Sequence, residues 1–147
     1  MLHFHIITLF PESIEPYLRS SILGRAIEKK LIKVSFYDPK DFTREIEMSS
    51  HGHEMTSQGI RRASKHERVD WRPYGGGPGM VLRSEPLLRA AQKAIGKKKD
   101  LGKIFLSTDG ALFNEAMAKK LSRKKNILLI CGRYEGVDER VAKYIAD

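Results

Sequence analysis

Five consecutive apolar residues, Ile127-Leu128-Leu129-Ile130-Cys131, constrain this chain more than any other stretch. A strand with no polar residue at alternate positions has no face for water, so it belongs in a sheet covered on both sides. Such a sheet calls for helices layered over mainly parallel strands. The remaining pattern agrees. His3 to Leu9 and Ile32 to Tyr37 read as strands, as does Lys103 to Thr108. Between the first two, Ile14, Leu18, Ile22, Leu23, Ala26 and Ile27 recur at helical spacing, and Pro16 is expected in the first turn of one helix. Ser84 offers an N-cap to a helix reaching about Ile95, buried through Leu87, Leu88, Ala91 and Ile95. Asn114 caps a helix through Leu121, and Asp138 caps a last one, Val141 to Ile145. The expected class is therefore α/β, a mainly parallel sheet flanked by helices. At 147 residues, 1–147 is expected to be one domain.

Two segments break the alternation. Asp41 to Arg72 has no sustained period, and 43–72 is expected to be a long, irregular, mobile loop, which in a compact domain usually carries function. Arg72-Pro73-Tyr74-Gly75-Gly76-Gly77-Pro78-Gly79-Met80 cannot be helix or central strand. Neither standard nucleotide loop is present there: Gly79 is followed by Met80 rather than Lys, and two prolines interrupt the glycines. Adjacent glycines do let a backbone approach a flat or charged ligand, and their N–H groups can bind anions. An ordinary connecting turn is the plain alternative.

Ligands of open α/β sheets lie beyond the carboxyl ends of the strands. Gly132-Arg133-Tyr134-Glu135-Gly136 and Thr108-Asp109-Gly110 occupy that side, with the glycine run as a third loop. An Arg there can hold a base or phosphate through its planar fork, although a surface ion pair with Glu135 is the simpler reading. His51-Gly52-His53-Glu54 has metal-ligand types, but zinc needs four partners and only His66 is near, so no metal is assigned. Cys131 reads as a small buried hydrophobe, and as the single cysteine it excludes an internal disulfide and fits a reducing cytosol. Lys plus Arg number 27 against 18 acidic residues, a net charge of +9, which favours an anionic partner such as nucleic acid. Lysines 97–99, 119–120 and 124–125 are solvated helix ends that can also meet phosphates. No apolar run is long enough for a membrane helix, and Met1 to Glu12 lacks a basic leader, so a cytoplasmic protein is expected.

Several of these stretches converge. Ile6-Ile7-Thr8-Leu9-Phe10-Pro11-Glu12, Asp41-Phe42-Thr43, the run Arg72 to Met80, Leu106-Ser107-x-x-Gly110 and Cys131 to Val141 resemble, in order, the bacterial tRNA (guanine-N1)-methyltransferases of the knotted SPOUT class. The resemblance implies a trefoil-knotted domain, an exception to unthreaded topology. It also implies a homodimer with shared active sites, and methyl transfer from S-adenosylmethionine to N1 of guanine 37 in tRNA. Carried over by motif, Phe105, Leu106, Ser107, Thr108, Gly110, Gly132, Tyr134 and Glu135 would line the cofactor pocket. Tyr74, Gly75, Gly76, Gly77 and Gly79 would face cofactor and target base, and His66, Asp70, Arg133 and Glu135 the guanine or tRNA. Arg133 and Glu135 would be catalytic, Arg133 steadying charge on guanine O6.

The same resemblance places a pocket-completing loop, an aspartate general base and a helical tRNA-binding domain beyond Asp147. On that expectation the domain is incomplete before the knot closes, the tRNA-binding domain is absent, and the chain alone is inactive or nearly so. Mg²⁺ is left open, since the sequence supports no site for it. Trp71 departs from the family pattern, which has an aspartate beside Asp70. It could stack on a base or simply pack. A non-catalytic RNA-binding module of the same fold is the alternative function. An unrelated nucleotide-binding α/β protein is disfavoured by the missing phosphate fingerprints.

Overall fold

A computed structural model describes residues 1–43, 45–46, 65–66, 68–73, 75–98 and 100–145. Four strands, β1 (Leu2–Ile7), β2 (Ile32–Tyr37), β7 (Leu101–Leu106) and β8 (Asn126–Cys131), form one sheet in the order β2-β1-β8-β7. All three pairings are parallel. The apolar run thus occupies an interior strand, and Ile127, Leu128 and Ile130 are buried there. Helix α3 (Ser84–Ile95) carries Leu87, Ala90, Ala91 and Ala94 into a core with Ile7, Leu9, Leu128 and Ile130. Val141 and Ile145 of α5 (Glu139–Ile145) complete that core. Alanines on α3 let the helix lie close on the sheet, with Leu87 in the core and Leu88 and Ile95, partly buried, packed against it.

The stretch between β1 and β2 forms two helices rather than one, α1 (Pro11–Leu18) and α2 (Ser21–Glu28). Pro16 sits in the interior of α1, not in its first turn. A proline there removes one helical hydrogen bond and crowds the preceding turn, so α1 is short. The chain turns at Arg19 and Ser20, and the Gly24 N–H donates to the Ser20 carbonyl at 3.0 Å. A Cβ on Gly24 would lie 2.8 Å from the Arg19 carbonyl carbon, so the corner needs glycine. Helix α4 (Glu115–Ser122) starts as its sequence predicts: Asn114 Oδ1 accepts from the Met117 N–H at 2.9 Å. At α3 the boundary shifts by one, with Arg83 as N-cap and Ser84 as first helical residue.

The irregular region also contains short ladders. Strand β3 (Glu45–Ile46) pairs antiparallel with β4 (Lys65–His66). Strand β5 (Asp70–Trp71) pairs with β6 (Val81–Leu82). Two-residue strands carry no period, which is why composition does not reveal them.

At the sheet's amino end a polar cluster is built into the core side. His5, 1% exposed, sits 3.1 Å through Nδ1 from the Tyr37 hydroxyl and 3.4 Å through Nε2 from Asn126 Oδ1. An amide oxygen only accepts, so Nε2 carries the proton and Nδ1 accepts from Tyr37. His3 stacks on it at 3.9 Å between ring centroids and bonds Ser35 Oγ at 2.9 Å. Burial, aided by His5, Lys33 and Lys98, pushes the His3 pKa down to about 4. Burial likewise lowers His5, against its Asn126 bond. A histidine whose folded pKa is depressed stabilises the fold above its unfolded pKa of about 6.5 and loses that contribution as pH falls. Melting temperature is therefore expected to drop between pH 6.5 and about 4. A His3→Gln/His5→Gln variant should lose the drop in that window, as circular dichroism melts at stepped pH would show.

Candidate active site

Because β7 and β8 run parallel with Leu106 opposite Cys131, their carboxyl ends emerge side by side. The segments that follow line one cleft of about 460 Å³. Phe105, Leu106, Ser107 and Thr108 come from one side of it, and Gly132, Tyr134 and Glu135 from the other. Asp109, Arg133 and Gly136, from the two loops expected on this side, join them, as does Val137, which the sequence did not single out. Gly110 does not line the cleft. Its N–H donates to the Ser107 carbonyl at 3.4 Å, which closes the turn beneath it.

The glycine run is tied to this cleft by a non-local ladder. The Met80 N–H donates to Glu135 Oε2 at 2.6 Å, and the Glu135 N–H returns to the Met80 carbonyl at 3.2 Å. Next, the Leu82 N–H donates to the Gly136 carbonyl at 3.1 Å, and the Asp138 N–H to the Leu82 carbonyl at 3.0 Å. Gly75, Gly76, Gly77 and Gly79 all have positive φ, from 82° to 108°. Only at Gly79 does space also matter. A Cβ there would lie 2.5 Å from both carboxylate oxygens of Glu135. Glycine at 79 thus lets the carboxylate reach the backbone, and Glu135 acts as a clamp between two loops.

Arg133 lies where the chain connections diverge. From β1 the chain passes outward to β2, whereas β8 and β7 lie on the other side, so β1 and β8 flank the sheet's switch point. There Thr8, Leu9, Phe10, Ser13 and Ile14 face Cys131 to Tyr134 across a second cleft of about 760 Å³. The Arg133 guanidinium stands 4.4 Å from the Phe10 ring centroid and 5.6 Å from that of Tyr134. Two aromatic rings orient the cation without neutralising it. Phe10 was not among the expected site residues. The Phe-Pro corner at the carboxyl end of β1 is the signal that marks it.

The other groups are accounted for as follows. Asp138 is chelated by Arg140, at 2.9 and 2.7 Å, and those hydrogen bonds hold its carboxyl below the usual range. Burial pushes the Cys131 thiol up, so it stays protonated, in keeping with a packing role. Asp70, on β5, pairs with Arg68 at 3.1 Å. Its strand joins the site through Leu82, which it faces in register. His66 lies on β4 opposite Glu45, and its side chain is outside the described residues. Tyr74 and His51 to Glu54 also lie outside them. No helix among the described residues is long and apolar enough to cross a membrane.

Comparison with known proteins gives a consistent answer. Residues 2–147 match the family model described as tRNA (Guanine-1)-methyltransferase TrmD. A tRNA (guanine-N(1)-)-methyltransferase of Dictyoglomus turgidum is 41% identical over 145 residues, 99% of this chain and 51% of the relative. One from Campylobacter jejuni subsp. doylei is 37% identical over 146 residues, 99% and 54% of the two chains. The crystal structure of tRNA (m1G37) methyltransferase from Aquifex aeolicus superposes with a TM-score of 0.73 at 34% identity. It covers 97% of this chain and 56% of that one, and it makes the parallel sheet a SPOUT fold. The chain spans about half the length of the curated relatives it matches. With the match running from residue 2 to 147, the chain belongs to the tRNA (guanine-1)-methyltransferase family.

Proposed function

We propose that this chain forms the methyl-donor half of an active site that methylates N1 of a guanine in tRNA, at position 37, with S-adenosylmethionine as donor. The observation that carries this reading is the ladder from Met80 and Leu82 to Glu135, Gly136 and Asp138, which fixes the glycine loop beside the cleft between 105–109 and 132–137. The cleft suits a nucleoside-sized ligand: its volume falls within the usual ligand range of roughly 300–1,000 Å³. Gly132 and Gly136 line it without side chains. When bound, S-adenosylmethionine supplies an electrophilic methyl group on a sulfonium sulfur. Phe105 to Thr108 with Gly132 to Glu135 would hold it.

The transfer is an in-line displacement, so orientation by these segments supplies much of the rate. Guanine N1 must lose its proton, and negative charge develops on O6. Arg133, oriented by Phe10 and Tyr134, is placed to steady that charge. Glu135 and Asp138 are engaged by Met80 and Arg140, so the general base comes from another group. Glu135 is a positioning residue in this account. The active protein is a homodimer in the cytoplasm. Leu106, Leu112 and Phe113, 55%, 89% and 68% exposed around the end of edge strand β7, support a covering second copy.

Calorimetric titration of S-adenosylmethionine into the chain tests the reading. Saturable donor binding is expected, together with RNA binding that weakens steeply with salt. RNA binding with no donor affinity would contradict it and leave the non-catalytic module.

A further inference from the structure

Outside the cleft, charge is unevenly distributed over the fold. Around Trp71 the arginines are ion-paired: Arg83 and Arg89 with Glu85, and Arg140 with Asp138. Arg83 also stands 5.1 Å from the Trp71 ring centroid, so the indole packs inside that network. The amino end of the four-stranded sheet is different. Helices α2, α3 and α4 each return the chain to that end and hand it on to β2, β7 and β8. The three connections are basic. They carry Lys29 and Lys30, then Lys97 and Lys98, then Arg123, Lys124 and Lys125, against one acid among the described residues, Asp100. Hydrogen bonds hold them along one rim. The Leu2 N–H donates to the Leu31 carbonyl at 3.1 Å, the His3 N–H to the Lys125 carbonyl at 2.9 Å, and the Lys125 N–H to Asp100 Oδ2 at 3.1 Å.

A cation near a helix C-terminus offsets the dipole there, and few of these residues are needed for that. Lys98 Nζ donates to the Ala94 carbonyl at 2.7 Å, and Lys124 Nζ pairs with Asp100 at 3.2 Å. Lys29, Lys30, Lys97, Arg123 and Lys125 are exposed and have no acidic partner among the described residues. Lys33, in register with His3, is exposed too and extends the charge along edge strand β2. Neighbouring strands lie about 4.8 Å apart, so the rim of four strands is only about 14 Å wide. Like charges that close repel one another, and the fold gains nothing from holding them together. A row of phosphates removes the repulsion and releases counterions. The rim is six residues of strand, about 20 Å, from the cleft at the carboxyl ends. An RNA that touches both passes round the outside of the domain, a path for a whole tRNA rather than for a minimal stem-loop. We propose that the amino end of the sheet is a second RNA-contact face, which holds the phosphate backbone of the substrate tRNA at a point remote from the methylated guanine. This rests on the RNA-substrate part of the proposed function. Phosphate contacts position an RNA without reading its sequence, so the face sets affinity and orientation rather than the choice of guanine.

The probes are two transcripts bearing the guanine, a whole tRNA and its anticodon stem-loop alone, each titrated into the 147-residue chain over a range of salt. A Lys29→Gln/Lys97→Gln/Arg123→Gln/Lys125→Gln variant is expected to bind the whole tRNA at least about tenfold more weakly. Its slope of log K against log salt should fall by about two to three. Affinities for the stem-loop and for S-adenosylmethionine should stay within about twofold, because the substituted sites are distant from the cleft. The charge-keeping Lys29→Arg/Lys97→Arg/Lys125→Arg variant should bind the whole tRNA as the parent does, and circular dichroism separates lost contact from lost fold. Equal losses on the two RNAs, or none on either, would overturn the remote face and leave the methyltransferase reading intact. Binding to phosphatidylserine vesicles that the Gln variant loses, with tRNA affinity unchanged, would assign the face to a lipid surface and overturn it too. No binding of either RNA by the parent chain would overturn the face together with the RNA-substrate reading beneath it. A length-dependent loss in a chain that binds no S-adenosylmethionine would keep the face and overturn the methyltransferase reading.

Discussion

Gly79→Ala lowers affinity for S-adenosylmethionine by about a hundredfold or more, with only a modest fall in melting temperature. Two costs combine at this position. Alanine at φ +94° is strained by about 1–3 kcal/mol. Its Cβ also displaces the Glu135 carboxylate and breaks the charge-assisted bond to the Met80 N–H, worth about 1.5–3 kcal/mol. Together these come to about 2.5–6 kcal/mol, a range that starts near the roughly 2.7 kcal/mol of a hundredfold change and lies mostly above it. The strain falls on a loop that can open without disturbing the Ile7, Leu87 and Leu128 core, so global stability changes less than affinity. Gly77→Ala is the internal control. Its φ is +108°, but a Cβ there meets nothing within 4 Å, so backbone strain acts alone and the loss should be nearer tenfold. Calorimetry on both variants separates the clamp from mere loop stiffness: equal losses would count against the clamp.

Arg133→Ala reduces single-turnover methyl transfer by about a hundred- to a thousandfold wherever the chain is catalytically competent, the range seen when one oriented charge stabiliser is removed. Its effect on the apparent KM for tRNA should be smaller, because the charge it meets develops only in the transition state. Arg133→Lys should recover little. A lysine ammonium keeps the charge but loses the planar fork that stacks on Phe10 and Tyr134. Phe10→Leu should move the rate in the same direction with a smaller loss, since it releases the guanidinium without removing it. Full rescue by lysine would mean that Arg133 contributes only generic positive charge.

How far the sequence reached is clear at particular residues. The run 127–131 placed an interior strand because total apolarity has one physical meaning in a sheet. Asn114 announced a helix start because its side chain meets a backbone N–H three residues on. The corner at Arg19 and Ser20 was hidden because apolar spacing continues across it, and only close backbone approach at Gly24 shows the turn. The clamp was hidden for a different reason: Glu135 and Met80 are 55 residues apart, and no local pattern encodes their meeting. Phe10 and Trp71 likewise acquire meaning from Arg133 and Arg83, which reach them only after folding. The segments carried over by family motif, 105–108 and 132–135, meet at one cleft, whereas the bond that ties Glu135 to Met80 is visible only in the fold.

Amide hydrogen exchange, read residue by residue with and without S-adenosylmethionine, tests the central claim most directly. The donor should slow exchange together at 105–109, at 132–137 and at Met80 and Leu82, while the His3–His5 end of the sheet is unchanged. Protection elsewhere, or at 105–109 alone with the Met80 and Leu82 amides unaffected, would contradict a single cleft built by the two joined loops.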